Sequence, residues 1–111
     1  MEIPENIANY LKQVIISVKK TMPVTAIYIF GSYATGKFNE NSDVDIYILT
    51  SDKTKRSIKT KLEIVNAIGD ENYISTDFVI GFEDDFERRN KIKNTIEYEV
   101  KKKGVTIYAN E

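Results

Sequence analysis

The sequence predicts a small α/β domain, and three observations carry that prediction. Segments with the apolar period of a surface helix alternate with short β-branched and aromatic runs. Two of those runs are separated by a helical segment, the connection that parallel strands require. Proline or glycine stands at most of the boundaries between segments. A chain of 111 residues corresponds to one domain, 1–111, with enough interior to fold alone.

Residues 3–22 carry Ile3, Ile7, Leu11, Val14, Ile15, Val18 and Met22 on one helical face, and Pro23 closes the helix. Residues 24–30, VTAIYIF, read as a first strand bounded by Pro23 and Gly31. Residues 32–42 are polar and turn-rich, with room for a short helical turn. VDIYILT, 44–50, is a second strand. From 54 to 68 a crossover helix is expected, with Ile58, Leu62, Val65 and Ile68 on one face, Ser51 or Asp52 as cap and Gly69 as stop. YISTDFVIG, 73–81, is a third strand that contains Asp77. Phe86, Ile92, Ile96 and Val100 mark one or two helices over 84–103, ended by Gly104, before a short final strand at 105–108. The second and third strands should be parallel. The dozen-residue link between the first and second permits either orientation; an antiparallel pairing would place Gly31 and Ser32 opposite Asp43 and Asp45.

Composition narrows the chemistry. With neither cysteine nor histidine in the chain, disulfides, thiolate or imidazole catalysis and nitrogen- or sulfur-ligated metals are excluded. Any metal must be held by oxygen, which points to magnesium, manganese or calcium. A net charge of −1 gives no general attraction to nucleic acid, and the basic runs 53–61 and 88–103 read as solvated helix faces, so direct nucleic-acid binding is not expected. No apolar run is long enough to span a membrane, and the N-terminal MEIPENIANY lacks the basic start and apolar block of a signal peptide, so a cytoplasmic location is expected.

The informative stretch is IFGSYATGKFNENSDVDIYIL, 29–49. Asp43 and Asp45 lie two apart at the mouth of a strand, so they point to one face with Cα atoms about 6.5–7 Å apart. Such a pair can converge on one cation, or share two ions of the kind that clamp the attacking and leaving oxygens in phosphoryl transfer. Asp77, if its strand neighbours the second, reaches the same place. Three carboxylates underbalance two magnesium ions, so the site needs an anion, and a nucleoside triphosphate fits. Gly31 lets a phosphate approach the main chain, Ser32 can add a hydroxyl and an N–H, and Gly36 allows a second bend. Tyr33 and Tyr47 are expected to pack in the interior in preference to stacking on a base.

GSYATG followed by SDVDIYIL, and later STDFVIG, resembles the polymerase-β-like nucleotidyltransferase superfamily, and within it the minimal nucleotidyltransferases often paired with HEPN-domain proteins. The resemblance covers nearly the whole chain. It implies helices flanking a short mixed sheet, with Gly31 and Ser32 positioning the triphosphate. It further implies that Asp43 and Asp45 ligate two magnesium ions, or manganese, and that Asp77 ligates one of them while activating an acceptor hydroxyl. The reaction implied is transfer of a nucleoside monophosphate to that hydroxyl with release of pyrophosphate, and the first expectation is AMP from ATP moved to a hydroxyl, such as a tyrosine's, of a HEPN toxin for which this chain is the antitoxin. Relatives often carry an arginine in the turn, where this chain has Tyr33 and Thr35 and leaves Lys37 as the nearest cation. Larger members continue into a second domain that helps bind the acceptor, so the acceptor surface is expected from elsewhere. Two other readings stand beside this one: a binding antitoxin with an incidental triphosphate site, and a transferase acting on an aminoglycoside-like small molecule in a homo-oligomer.

Overall fold

Two layers of helix sandwich a four-stranded sheet in the computed structural model, which describes residues 3–110. Met1, Glu2 and Glu111 lie outside the described residues, and with them the start of the N-terminal stretch read as lacking a signal peptide. The elements run α1 (Glu5–Thr21), β1 (Ala26–Phe30), α2 (Ser32–Thr35), β2 (Val44–Thr50), α3 (Ile58–Ile68), β3 (Thr76–Phe82), α4 (Glu83–Arg89), α5 (Ile96–Lys103) and β4 (Val105–Ala109). The strand order is β3-β2-β1-β4. β2 and β3 are parallel, as their helical crossover requires, whereas β1 is antiparallel to both β2 and β4, so the sheet is mixed.

Alternation along the strands divides the interior in two. Ile27 and Ile29 of β1, Val44, Ile46 and Ile48 of β2, and Phe78 and Ile80 of β3 face α1 and α3. Helix α1 meets them with Ile7, Leu11, Val14 and Val18, whose burial contributes about 1.5–3 kcal/mol each. It ends because Pro23 cannot continue it, and the Met22 N–H closes on the Val18 carbonyl. On the opposite face Ala26, Phe30, Tyr47 and Leu49 pack against Phe86 of α4 and Val100 of α5. No helix among the described residues is long and apolar enough to cross a membrane.

The structure corrects several expectations. The crossover helix begins at Ile58, not residue 54: Asp52 caps a separate 3-10 turn at Lys53–Lys55, and Ser57 caps α3 by accepting from the Thr60 N–H. Thr60, Ile64 and Ile68 form its buried stripe. Ile58 and Leu62, two positions out of phase, fall on the opposite side and are exposed, as a 100° step per residue dictates. Ile92 and Ile96 are also exposed. Asn94 breaks the segment at a φ of +73°, and Thr95 caps α5, so the phase that begins at Phe86 does not carry through. β3 occupies Thr76–Phe82, because Ile74 and Ser75 belong to the approach that bonds Tyr10 and Val44.

One buried polar network ties the α4–α5 layer to the sheet. The Tyr47 hydroxyl donates to Glu97 Oε2 at 2.8 Å, and Arg89 Nε donates to Glu97 Oε1 at 2.9 Å. Tyr47 can lie across β3 because residue 81 is glycine: a Cβ there would stand 1.9 Å from the tyrosine oxygen. Burial and the hydrogen bond to Glu97 push the Tyr47 hydroxyl far above its usual range, so it remains a donor. Burial would raise Glu97, but the bonds from Arg89 and Tyr47 outweigh it and hold the carboxyl below its ordinary value.

A lowered carboxyl stabilises the fold above its unfolded pKa, and the gain disappears as pH falls through the folded value. Glu97→Gln is therefore expected to lose about 1–3 kcal/mol at pH 7. That deficit should shrink below about pH 4.3, the ordinary glutamate value, in urea unfolding measured from pH 7 to pH 3.5.

Candidate active site

The site lies where β1 ends and β2 and β3 begin. Because β1 and β2 are antiparallel with Phe30 opposite Asp45, the chain leaving β1 passes directly beside the start of β2. Gly31 makes that passage at φ +72° and ψ −148°, a region open essentially only to glycine. The space is also taken, since a Cβ on Gly31 would lie 2.1 Å from Asp45 Oδ2. The Gly31 carbonyl then accepts from the Ala34 and Thr35 N–H groups at 3.2 Å each, which starts the one-turn helix α2 at Ser32. Gly36 ends it in the left-handed conformation, followed by exposed Lys37.

Parallel pairing puts Asp45 and Asp77 side by side in register. Asp43 stands just before β2, near enough for its charge to act on Asp45, and its Oδ1 accepts from the Ser75 hydroxyl at 2.6 Å. β3 is an edge strand and Asp77 is exposed, while Asp45 is half-buried. Burial raises the Asp45 carboxyl above its ordinary value, and the charges of Asp77, Asp43 and Glu99 raise it further. No salt bridge reaches Asp45 among the described residues. Among those residues, too, no three acidic side chains are drawn into a closed cation cage; they form a row, with Asp43 turned towards Ser75.

The donor set suits a hard cation: carboxylates and hydroxyls, mutually repelling and short of positive charge. Asp43, Asp45 and Asp77 are the carboxylates that stand there. Glu99 and Ser75 went unnoticed in the sequence. Ser75 stands just before β3, where a hydroxyl in line with Asp43 is a readable signal once the parallel register is known. Glu99 has no such signal, because its approach depends on how α5 docks. Both tyrosines pack as expected: Tyr33 is buried and stacks on Phe38 with ring centroids 4.6 Å apart, and Tyr47 lies against Phe86.

Gly31→Ala is expected to cost about 1–3 kcal/mol in backbone strain, with the collision against Asp45 in addition. In chemical denaturation, the double variant Gly31→Ala/Asp45→Ala should recover the collision but not the strain. A Gly31→Ala protein as stable as the parent would contradict this packing.

Comparison with known proteins agrees with the geometry. A family model described as Polymerase beta, Nucleotidyltransferase matches residues 7–111. No curated protein matches the sequence significantly. Among solved structures, a toxin-antitoxin with AMP-PNP superposes with a TM-score of 0.64 at 22% identity, covering 90% of this chain and 73% of that one. A mutant of the toxin-antitoxin MntA-HpeT gives 0.62 at 18% identity, with the same coverage of 90% and 73%. A protein of Sulfolobus solfataricus gives 0.59 at 16% identity, covering 98% and 91%. These likenesses are in fold, and the match over residues 7–111 establishes that the chain belongs to the polymerase-β nucleotidyltransferase family.

Proposed function

We propose that this protein transfers AMP from ATP to a hydroxyl group on a partner protein, and that the partner is a HEPN-domain toxin for which it serves as antitoxin. The observation that carries the reading is the row Asp43, Asp45 and Asp77, aligned by the β2–β3 register and abutting Gly31. In this reading Asp43 and Asp45 hold magnesium, or manganese, against the triphosphate, and Asp77 shares in that role. The metal, when bound, supplies charge neutralisation at the phosphates. Gly31 and Ser32 seat the triphosphate: glycine at 31 lets the main chain turn beside Asp45, and the Ser32 hydroxyl and N–H are donors at the start of α2.

Asp77, exposed on the edge strand β3, faces the acceptor and takes the proton of its hydroxyl. The hydroxyl oxygen bonds to the α-phosphorus as the bond from that phosphorus to the pyrophosphate oxygen breaks. Products are the adenylylated acceptor and pyrophosphate. The protein contributes chiefly position and a fixed field. Adenine as the base is supported by the neighbour solved with AMP-PNP, and a toxin as partner by the two toxin-antitoxin neighbours, one of them a mutant in which two aspartates spaced two apart are replaced by glutamate.

Incubation with magnesium, α-labelled ATP and the product of the neighbouring gene should place label on that product. Asp43→Asn and Asp45→Asn should each reduce labelling about 100-fold or more while leaving partner binding intact. Labelling that survives both substitutions would refute the assignment. Protection from the toxin by a folded, non-transferring Asp45→Asn protein would favour stoichiometric binding instead.

A further inference from the structure

The face of β3 that carries Asp77 continues to a second polar feature. Alternation takes it from Asp77 through Val79 to Gly81, and there a cavity of about 200 Å³ opens over Gly81 and Tyr47. Three arginines and two acids wall it: Arg56, Arg88 and Arg89 with Asp85 and Glu97. Two of the arginines are already paired, Arg88 with Asp85 at 2.8 Å and Arg89 with Glu97 at 2.9 Å. Arg56 makes no salt bridge among the described residues, and its guanidinium lies 5.8 Å from the centre of the Phe82 ring. Both neighbouring acids are thus engaged, and the cavity retains a surplus of one positive charge on a planar donor fork. Aromatic contact holds that fork in place without satisfying its hydrogen bonds.

A planar fork with one unbalanced charge selects a carboxylate. A phosphomonoester, with nearly two charges and tetrahedral oxygens, would leave excess negative charge beside Asp85 and Glu97. The floor is preformed, because Gly81 leaves room above the strand and the Tyr47–Glu97–Arg89 bonds fix its polar rim. Measured along the strand, Val79 and Gly81 lie about 7 and 13 Å from Asp77.

We propose that this cavity receives a side-chain carboxylate of the protein acceptor, docking the acceptor along β3 so that its hydroxyl meets Asp77. The inference rests on the transfer proposed above and adds a substrate rule to it: the modified hydroxyl has an acidic side chain on the same face about 13 Å away, four residues along an extended segment.

Binding and transfer test it separately. With the full chain labelled in nitrogen-15, the side-chain carboxylate of N-acetylglutamate α-amide should produce saturable amide shifts at Tyr47 and Gly81. Its glutamine counterpart should not, and Arg56→Gln should weaken the response about tenfold. Absence of localised shifts, or tighter binding of inorganic phosphate than of the carboxylate, would overturn the assignment. In the transfer arm, two extended peptides carry one tyrosine and either glutamate or glutamine four positions on. The glutamate peptide should show about tenfold higher kcat/KM, and Arg56→Gln should abolish the preference. Labelling of the partner protein without any preference between the peptides would overturn this inference alone. Labelling of no acceptor at all would overturn the transferase reading on which it rests.

Discussion

The Asp45 carboxylate occupies the space that a side chain at position 31 would fill, and much of the molecule follows from that contact. It requires glycine at the exit of β1, in a conformation other residues avoid, and it requires β1 and β2 to run antiparallel with Phe30 opposite Asp45. The parallel β3 then brings Asp77 alongside, and burial together with the neighbouring like charges raises the Asp45 carboxyl. Stability alone gives no reason to set Asp45, half-buried at the start of the most buried strand, beside the charges of Asp43 and Asp77. The repulsion among these carboxylates is of the kind that a cation bound between them would relieve.

The rest of the fold supplies rigidity around that point. The sheet face that carries Asp45 also carries Tyr47, whose hydroxyl is bound by Glu97, which is bound in turn by Arg89. α4 and α5 are thereby anchored on the face where chemistry is proposed, while α1 and α3 seal the other with aliphatic side chains. The α4–α5 layer is held through few but fully satisfied polar bonds, and among the described residues no buried side-chain polar atom lacks a partner.

Much of this was legible in the sequence, for identifiable reasons. Strand alternation put Asp43 and Asp45 on one face, glycine and proline bounded β1, and a helix between two apolar runs implied the parallel pair. The β1–β2 orientation was not legible, since a dozen-residue link permits both, and it decides whether Gly31 meets Asp45 at all. Ile58 and Leu62 misled because a helical period reveals an apolar stripe without revealing whether anything covers it; the buried stripe runs through Thr60 instead. Ile92 and Ile96 misled because Asn94 resets the helical phase. Glu97 and Arg89 looked like two more charges in a basic, solvated stretch. Only the docking of α5 turns them into the partners of Tyr47.

The central claim is that the aspartate row is completed by a divalent cation together with a nucleoside triphosphate. Calorimetric binding of AMP-PNP to the parent protein and to Asp45→Asn, each with and without magnesium, tests it most directly. Without metal, Asp45→Asn should bind at least as well as the parent, because a carboxylate repels a polyphosphate. With magnesium the order should reverse, the parent binding about tenfold or more tightly. Equal affinities in magnesium, or binding by the parent that is indifferent to the metal, would contradict the account.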